Sequence, residues 1–307
     1  MSDYYEVNLK KSRLEILKKN PNFYNNFGLI QDEKLLDSIF SKYKPNIVIH
    51  LAAQAGVRYS IINPLSYVET NLLGTFYILE MTKRYKPDHL LMASTSSVYG
   101  SNTDVPFHEN QKTDSPISFY AATKKSNEIM AHSYSHLHNI PITLFRFFTV
   151  YGPWGRPDMA YFKFTKKILS GKPIDIYNNG NMFRDFTYVD DLVKAIYLLI
   201  TKEPQNISER SENIPNDSIS KIAPFRIVNI GNSQPIKLLE FVKILEQNLK
   251  KIAVKNFLDA QDGDVFKTHS KVDLLFDLTG YRPNTSLQYG LSEFVKWYKE
   301  YYSKTTL

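Results

Sequence analysis

Leu90-Leu91-Met92-Ala93-Ser94-Thr95-Ser96-Ser97-Val98-Tyr99-Gly100 opens as a short apolar run and closes with four consecutive hydroxyl side chains before a glycine. The apolar part reads as a strand buried on both faces, and the hydroxyls fall at its C-terminal end, where open α/β sheets place their ligands. Two similar runs flank it in the chain, Ile47-Val48-Ile49-His50-Leu51-Ala52-Ala53 and Ile142-Thr143-Leu144-Phe145-Arg146-Phe147-Phe148. Between them, residues 65–85 and 120–138 read as helices. Short β-rich runs alternating with longer amphipathic stretches predict βα units, and so an α/β fold built on a doubly wound parallel sheet.

Outward from this core the pattern changes. Tyr151-Gly152-Pro153-Trp154-Gly155-Arg156-Pro157 is a turn-rich break, which places a domain boundary near residue 150 and gives units of 1–150 and 151–307. The polar stretch from Glu203 to Ala223 reads as a surface loop, and helices near 237–251 and 289–302 close the chain.

Composition narrows the chemistry. The 307 residues are 43% hydrophobic and 22% charged, enough to bury a sizeable core. There are no cysteines, so disulfides and thiolate metal sites are excluded, and the histidines give no expectation of a metal. The formal charge of +7 is spread along the chain and mixed with acids, which argues against nucleic acid and suits an anionic small substrate. No stretch reaches the roughly 18 to 20 apolar residues that span a bilayer, and the N-terminus lacks a signal peptide's apolar core; a cytoplasmic protein is expected.

Tyr120 and Lys124 stand four apart at the start of a predicted helix, on one face about one turn apart. An ammonium near a phenol favours phenolate, which makes Tyr120 a usable base. Alone the spacing is weak: with 21 tyrosines, about two such matches arise by chance. Thr95, 25 residues earlier in the hydroxyl cluster, strengthens it.

With Thr95, Tyr120 and Lys124 as a catalytic set, the chain resembles the extended short-chain dehydrogenase/reductase family, and within it the nucleotide-sugar 4-epimerases that act on UDP-glucuronate. The resemblance runs from Asp3-Tyr4-Tyr5 to the last helix. It implies a Rossmann-type domain binding NAD in the first half and a smaller α/β nucleotide-sugar domain in the second, with segments that return to the first. In His50-Leu51-Ala52-Ala53-Gln54-Ala55-Gly56-Val57-Arg58 it implies that Leu51, Ala52, Ala53 and Gln54 line the cofactor, joined by Asn71, Ser94, Tyr120, Lys124, Phe147 and Val150. It implies substrate contacts from Arg58, Thr95, Ser96, Ser97, Thr149, Arg156 and Arg184, the last with a fork suited to phosphate oxygens. Ala223-Pro224-Phe225-Arg226-Ile227-Val228-Asn229-Ile230-Gly231-Asn232 resembles the glucuronate epimerases in particular.

The residues after Thr95 separate related chemistries. Dehydratases of the family carry Asp then Glu there, and decarboxylating relatives carry Glu where this chain has Ser97; Ser96 and Ser97 offer hydroxyl donors to a sugar carboxylate instead. The implied reaction oxidises C4 to a 4-keto sugar with enzyme-bound NAD and reduces it on the other face, with no metal. Family analogy implies a homodimer.

One expected element is missing. The family's G-x-x-G-x-x-G turn belongs between the first strand and helix, yet residues 1–27 contain no glycine. The first strand, first helix and second strand are therefore expected to be absent, leaving the sheet without a central partner, and Leu29 stands where relatives place an adenine-contacting Asp. The residues leave three readings open: a UDP-glucuronate 4-epimerase, inactive as written if the loop is indispensable; a UDP-glucose 4-epimerase; or a non-catalytic remnant that binds a nucleotide sugar.

Overall fold

The computed structural model describes residues 1–206, 214–260 and 265–305. Helix α1 (Val7–Leu17) and helix α2 (Glu33–Tyr43) precede strand β1 (Ile47–His50). Two single-turn helices, α3 (Tyr59–Ile62) and α4 (Pro64–Tyr67), lead through a π-helical turn (Val68–Leu73) into α5 (Gly74–Tyr85). Then come β2 (His89–Ala93), α6 (Phe119–His138), β3 (Ile142–Phe147), β4 (Thr149–Tyr151), α7 (Ala160–Leu169), β5 (Ile174–Ile176), β6 (Phe183–Tyr188) and α8 (Val189–Leu199). Strands β7 (Phe225–Ile230) and β8 (Pro235–Lys237), α9 (Leu238–Leu249), β9 (Lys255–Phe257), α10 (Asp273–Thr279) and α11 (Leu287–Thr305) complete the order.

The main sheet is parallel, in the order β1-β2-β3-β7, with Val48 opposite Leu90, Leu90 opposite Ile142 and Ile142 opposite Phe225. Side chains alternate across it. Leu90, Met92, Ile142 and Leu144 face one layer with Phe40 of α2 and Ile78 and Leu79 of α5. Leu91, Phe145, Val228 and Ile230 face the other with Leu192 and Leu199 of α8 and Leu275 of α10. Helices therefore cover both faces, as the continuous apolar runs require. Strand β7 belongs to this sheet although it follows the sequence break at residue 150 by some 75 positions, a return of the chain to its first domain.

No strand precedes Ile47 among the described residues, and β1 forms the sheet edge, with Ile49 40% and Leu51 52% exposed. The smaller domain carries a three-stranded sheet, β4-β6-β8, and a β5-β9 pair. Its core joins Tyr161, Phe162, Phe241 and Phe294, and fully buried Leu9 brings α1 into the same cluster. Helix α1 is further tied to α11 by bonds from Tyr302 Oη to Glu6 and between Ser12 and Tyr301.

Three sequence expectations are adjusted. The strand expected over 47–53 ends at His50, leaving Leu51 to Ala53 in the loop beyond it. The helix expected over 65–85 is broken by the π-helical turn, which holds Asn71 fully buried; such wide turns interrupt the helix ladder and recur at functional sites. The loop expected from Glu203 to Ala223 lies partly outside the described residues, and its described parts carry neither helix nor strand. Among the described residues no helix is long and apolar enough to cross a membrane.

Candidate active site

Helix α6 begins with a serine cap: Ser118 Oγ accepts the Ala121 amide at 3.1 Å, and the Tyr120 amide, free of any intrahelical carbonyl in this first turn, donates to Ser60 Oγ of α3 at 3.2 Å. The helix start is thus pinned to the loop after β1. One turn further, Lys124 is 3% exposed and donates from Nζ to the Ala93 carbonyl at the end of β2, 2.6 Å away. Two residues beyond that carbonyl, Thr95 Oγ1 takes the Ser97 amide at 3.1 Å and donates to Ser97 Oγ at 3.2 Å, close enough to the Tyr120 phenol to act on it. Thr95, Tyr120 and Lys124 therefore meet where the end of β2 faces the start of α6.

Burial pushes the Tyr120 phenol above its ordinary value, while the Thr95 hydrogen bond and the charge of Arg156 pull it back. Burial lowers Lys124 to about 8, with Glu128 opposing. The sequence reading assigned the field on the phenol to Lys124. In the structure the Lys124 ammonium is turned toward Ala93, and the charge of Arg156 adds to the pull on the phenol.

Beneath this set lies a buried ion pair that sequence reasoning missed. Glu128 and Arg146 are each 2% exposed; Arg146 donates from Nε and Nη2 to the two carboxylate oxygens at 2.9 Å, and Ser94 Oγ adds a bond at 2.7 Å. Arg146 also lies 4.9 Å from the Tyr99 ring centroid and reaches the Glu109 carbonyl. Burial raises a carboxyl, but here the Arg146 charge and hydrogen bonds outweigh it and hold Glu128 below the usual range. Ser94, expected against the cofactor, is thereby committed to joining β2 to α6.

The loop after β1 is held just as firmly. Asn71 accepts the Gln54 amide at 2.8 Å and donates to the Gln54 carbonyl and to Thr123 Oγ1 of α6. Buried Tyr67 donates to the Ala55 carbonyl and sets its ring edge-on to Tyr120, centroids 6.1 Å apart. Gly56 sits at φ +109°, and a Cβ there would come within 2.5 Å of the Tyr4 hydroxyl, so the close approach of Tyr4 requires glycine. His50, beneath the loop, bonds Thr75, and burial beside Lys124 lowers it to about 3. Leu51 and Ala52 are exposed and Ala53 is half-buried beside them.

The other expected residues are spread over both domains. Ser96 and Ser97 start the turn Ser96–Tyr99, which ends at Gly100, φ +55°, where a Cβ would meet the Ser115 carbonyl at 2.1 Å. Phe147 stacks on Phe145; Thr149 and Val150 lie on β4 opposite Phe186 and Thr187. Arg156 Nη2 donates to Asp158 at 3.2 Å. Arg58 lies over the Tyr177 ring, 4.6 Å from its centroid, and Arg184 Nη1 donates to the Phe183 and Phe266 carbonyls.

Among the described residues no cluster of three or more His, Asp or Glu side chains suited to an ion occurs. His132 and His136 do stand one turn apart on α6, a pairing the sequence reading passed over, but they bond Ser220 and the Ile222 carbonyl.

A buried lysine and a tyrosine on one helix, facing hydroxyls at the end of a parallel strand, are what a nicotinamide-dependent oxidation of an alcohol needs. Residues 7–214 match the model of the NAD dependent epimerase/dehydratase family. The chain belongs to that family. Among similar members, Protein CapI of Staphylococcus aureus is 50% identical over 304 residues, covering 99% of this chain and 90% of that protein. The probable UDP-glucuronate 4-epimerase of Rhizobium meliloti (strain 1021) is 48% identical, covering 99% and 89%. The crystal structure of UDP-glucuronic acid 4-epimerase from Bacillus cereus, in complex with UDP-glucuronic acid and NAD, superposes with a TM-score of 0.84 at 32% identity, covering 96% of this chain and 88% of that one. This epimerase/dehydratase family member gathers its hydroxyl, tyrosine and lysine where the end of β2 faces the start of α6.

Proposed function

We propose that this protein is a UDP-glucuronate 4-epimerase, interconverting UDP-glucuronate and UDP-galacturonate through a 4-keto sugar with NAD as the bound oxidant. The observation that carries the reading is the gathering of Thr95, Tyr120 and buried Lys124 between the end of β2 and the start of α6, with Ser97 bonded to Thr95 in place of an acid. The named relatives and the Bacillus cereus enzyme support the substrate.

The residues present suit the nicotinamide end of NAD. Lys124 is a nearly buried ammonium at the C-terminal ends of parallel strands, placed to donate to ribose hydroxyls, and Asn71 fixes the Gln54 backbone that would line the ring. The pyrophosphate end is less provided for: no Gly-rich strand-to-helix turn occurs among the described residues, and α1 packs on α11. When bound, NAD takes up and returns the hydrogen at C4.

Tyr120 then accepts the proton of the sugar 4-hydroxyl and Thr95 shares that hydrogen bond, keeping the oxygen aligned. Once bound NAD had returned that hydrogen to the opposite face, Tyr120 would give its proton back to the C4 oxygen, so no net redox change would result. With no carboxylate at Ser96 or Ser97, the site offers no base for removing the C5 proton. Arg156, whose charge acts on Tyr120, faces the negative end of the sugar, and Ser96, Ser97, Thr149 and Arg58 complete that subsite. Arg184 takes the diphosphate from the second domain. Leu51, Ala52, Ala53, Phe147 and Val150 supply the apolar walls of the cofactor cleft.

The division near residue 150 then separates cofactor from substrate, with β7 returning. Exposed Phe76 on α5 and Ile129 and Leu137 on α6 favour a homodimer through these helices. The test is product analysis with NAD supplied: UDP-glucuronate should convert to UDP-galacturonate much faster than UDP-glucose to UDP-galactose, and comparable rates would refute the carboxylate specificity.

A further inference from the structure

The N-terminal segment reaches the site from the far end of the chain. Tyr4 Oη donates to Asp158 Oδ2 at 3.2 Å, and Arg156 Nη2 donates to the same oxygen, also at 3.2 Å. The second oxygen, Oδ1, is buried with no protein partner, so these two donors alone set how the carboxylate lies. The Tyr4 ring packs on Tyr59, 4.8 Å between centroids; Tyr59 packs on Tyr67, and Tyr67 is edge-on to Tyr120. The Tyr4 hydroxyl rests against the Gly56 backbone. Tyr4 is therefore wedged between the loop after β1 and the loop that carries Arg156, bridging the two domains at the site.

We propose that Tyr4 and Asp158 are positioning residues, a phenol and a carboxylate that together hold the Arg156 guanidinium toward the charged end of the sugar. A guanidinium at the tip of a rotatable side chain has many orientations, and one carboxylate oxygen defines only one of its contacts. Tyr4 removes the remaining freedom by fixing the carboxylate. Arg156 is 33% exposed, so without that anchor it is free to swing toward water. Burial and the neighbouring Asp158 charge raise the Tyr4 phenol to about 12, which keeps it a donor at neutral pH.

The substrate part of this inference rests on the UDP-glucuronate reading. Its test is Tyr4→Phe, which removes one hydroxyl, with Tyr5→Phe as control because Tyr5 instead accepts from Arg13. We expect Y4F to raise KM for UDP-glucuronate roughly tenfold, the effect of a hydrogen bond to a charged group, with kcat little changed and the preference over UDP-glucose reduced by the same factor. Y5F should leave that preference alone. A purely structural role for Tyr4 would lower stability and leave the preference unmoved, and that result, or equal losses toward both sugars, overturns the proposal. If the wild-type chain shows no preference for UDP-glucuronate, the functional reading fails instead. The positioning role is then decided by a crystal structure of Y4F: Arg156 displaced from Asp158 upholds it, and Arg156 in place overturns it.

Discussion

Replacing Glu128 with Gln tests how the catalytic helix is held. Glu128 receives two bonds from Arg146 at 2.9 Å and one from Ser94 at 2.7 Å, with both members of the ion pair 2% exposed. A Gln Oε1 can keep the Ser94 and Arg146 Nε bonds, but its amide nitrogen then faces Arg146 Nη2, donor against donor, and the buried guanidinium loses its counter-charge. Breaking one side of a buried pair costs about 3–5 kcal/mol. Urea unfolding of E128Q should show that loss at unchanged m. Lys125→Gln, which removes the partly exposed partner 3.5 Å from Glu128, should cost under about 1 kcal/mol. The same variant has a kinetic signature. Glu128 opposes the burial that lowers Lys124 to about 8, so E128Q lowers Lys124 further, and the alkaline fall in activity begins at lower pH. A loss below about 1 kcal/mol, with the alkaline limb unmoved, would refute the claim that this pair anchors β2 to α6 and sustains the Lys124 charge.

Other variants read other parts of the site. Tyr120→Phe should lower kcat by about 10²-fold or more, the usual contribution of a positioned acid–base group, with the urea midpoint nearly unchanged; retained turnover would exclude Tyr120 as the base. In the wild-type chain, activity should fall above pH 8 as Lys124 loses its proton. His50, lowered to about 3 by burial, binds a proton in the unfolded chain from about pH 6.5 downward and in the folded chain only near 3. Stability is therefore lost as pH falls through that window, on the order of 5 kcal/mol at about 1.36 kcal/mol per pH unit, and His50→Asn should flatten the slope between pH 6.5 and 4 in urea titrations. Gly100→Ala places a Cβ 2.1 Å from the Ser115 carbonyl at positive φ and should cost more than about 2 kcal/mol; a neutral result would mean that the turn relaxes freely.

Much of this architecture was legible in the chain because buried parallel strands write themselves as continuous apolar runs. Ile47, Leu90 and Ile142 each begin one, and the three runs form neighbouring strands, with Val48, Leu90 and Ile142 in line across them. The Thr95, Tyr120 and Lys124 set was legible because two of its members share a helix face and the third ends a strand. What was hidden depends on distance along the chain or on local defects. Tyr4 and Asp158 lie 154 positions apart, and no periodicity links them. Glu128 carries no mark in the sequence, because its partner Arg146 stands on β3 and only the packing of α6 on the sheet brings them together. The π-helical turn around Asn71 was invisible because its stretch has ordinary helical composition and the tertiary bonds to Gln54 and Thr123 hold the bulge. The bond from Lys124 to the Ala93 carbonyl was hidden as well, because spacing places Lys124 near the phenol but says nothing of what its ammonium meets at the end of β2.

The most direct measurement is nuclear magnetic resonance of the sugar protons while the purified chain is incubated with UDP-glucuronate and millimolar NAD, with Y120F as control. The account predicts that signals of UDP-galacturonate grow to a fixed equilibrium ratio, without net NADH formation, and that Y120F produces none. Unchanged UDP-glucuronate with NAD present, or conversion that survives in Y120F, would contradict it.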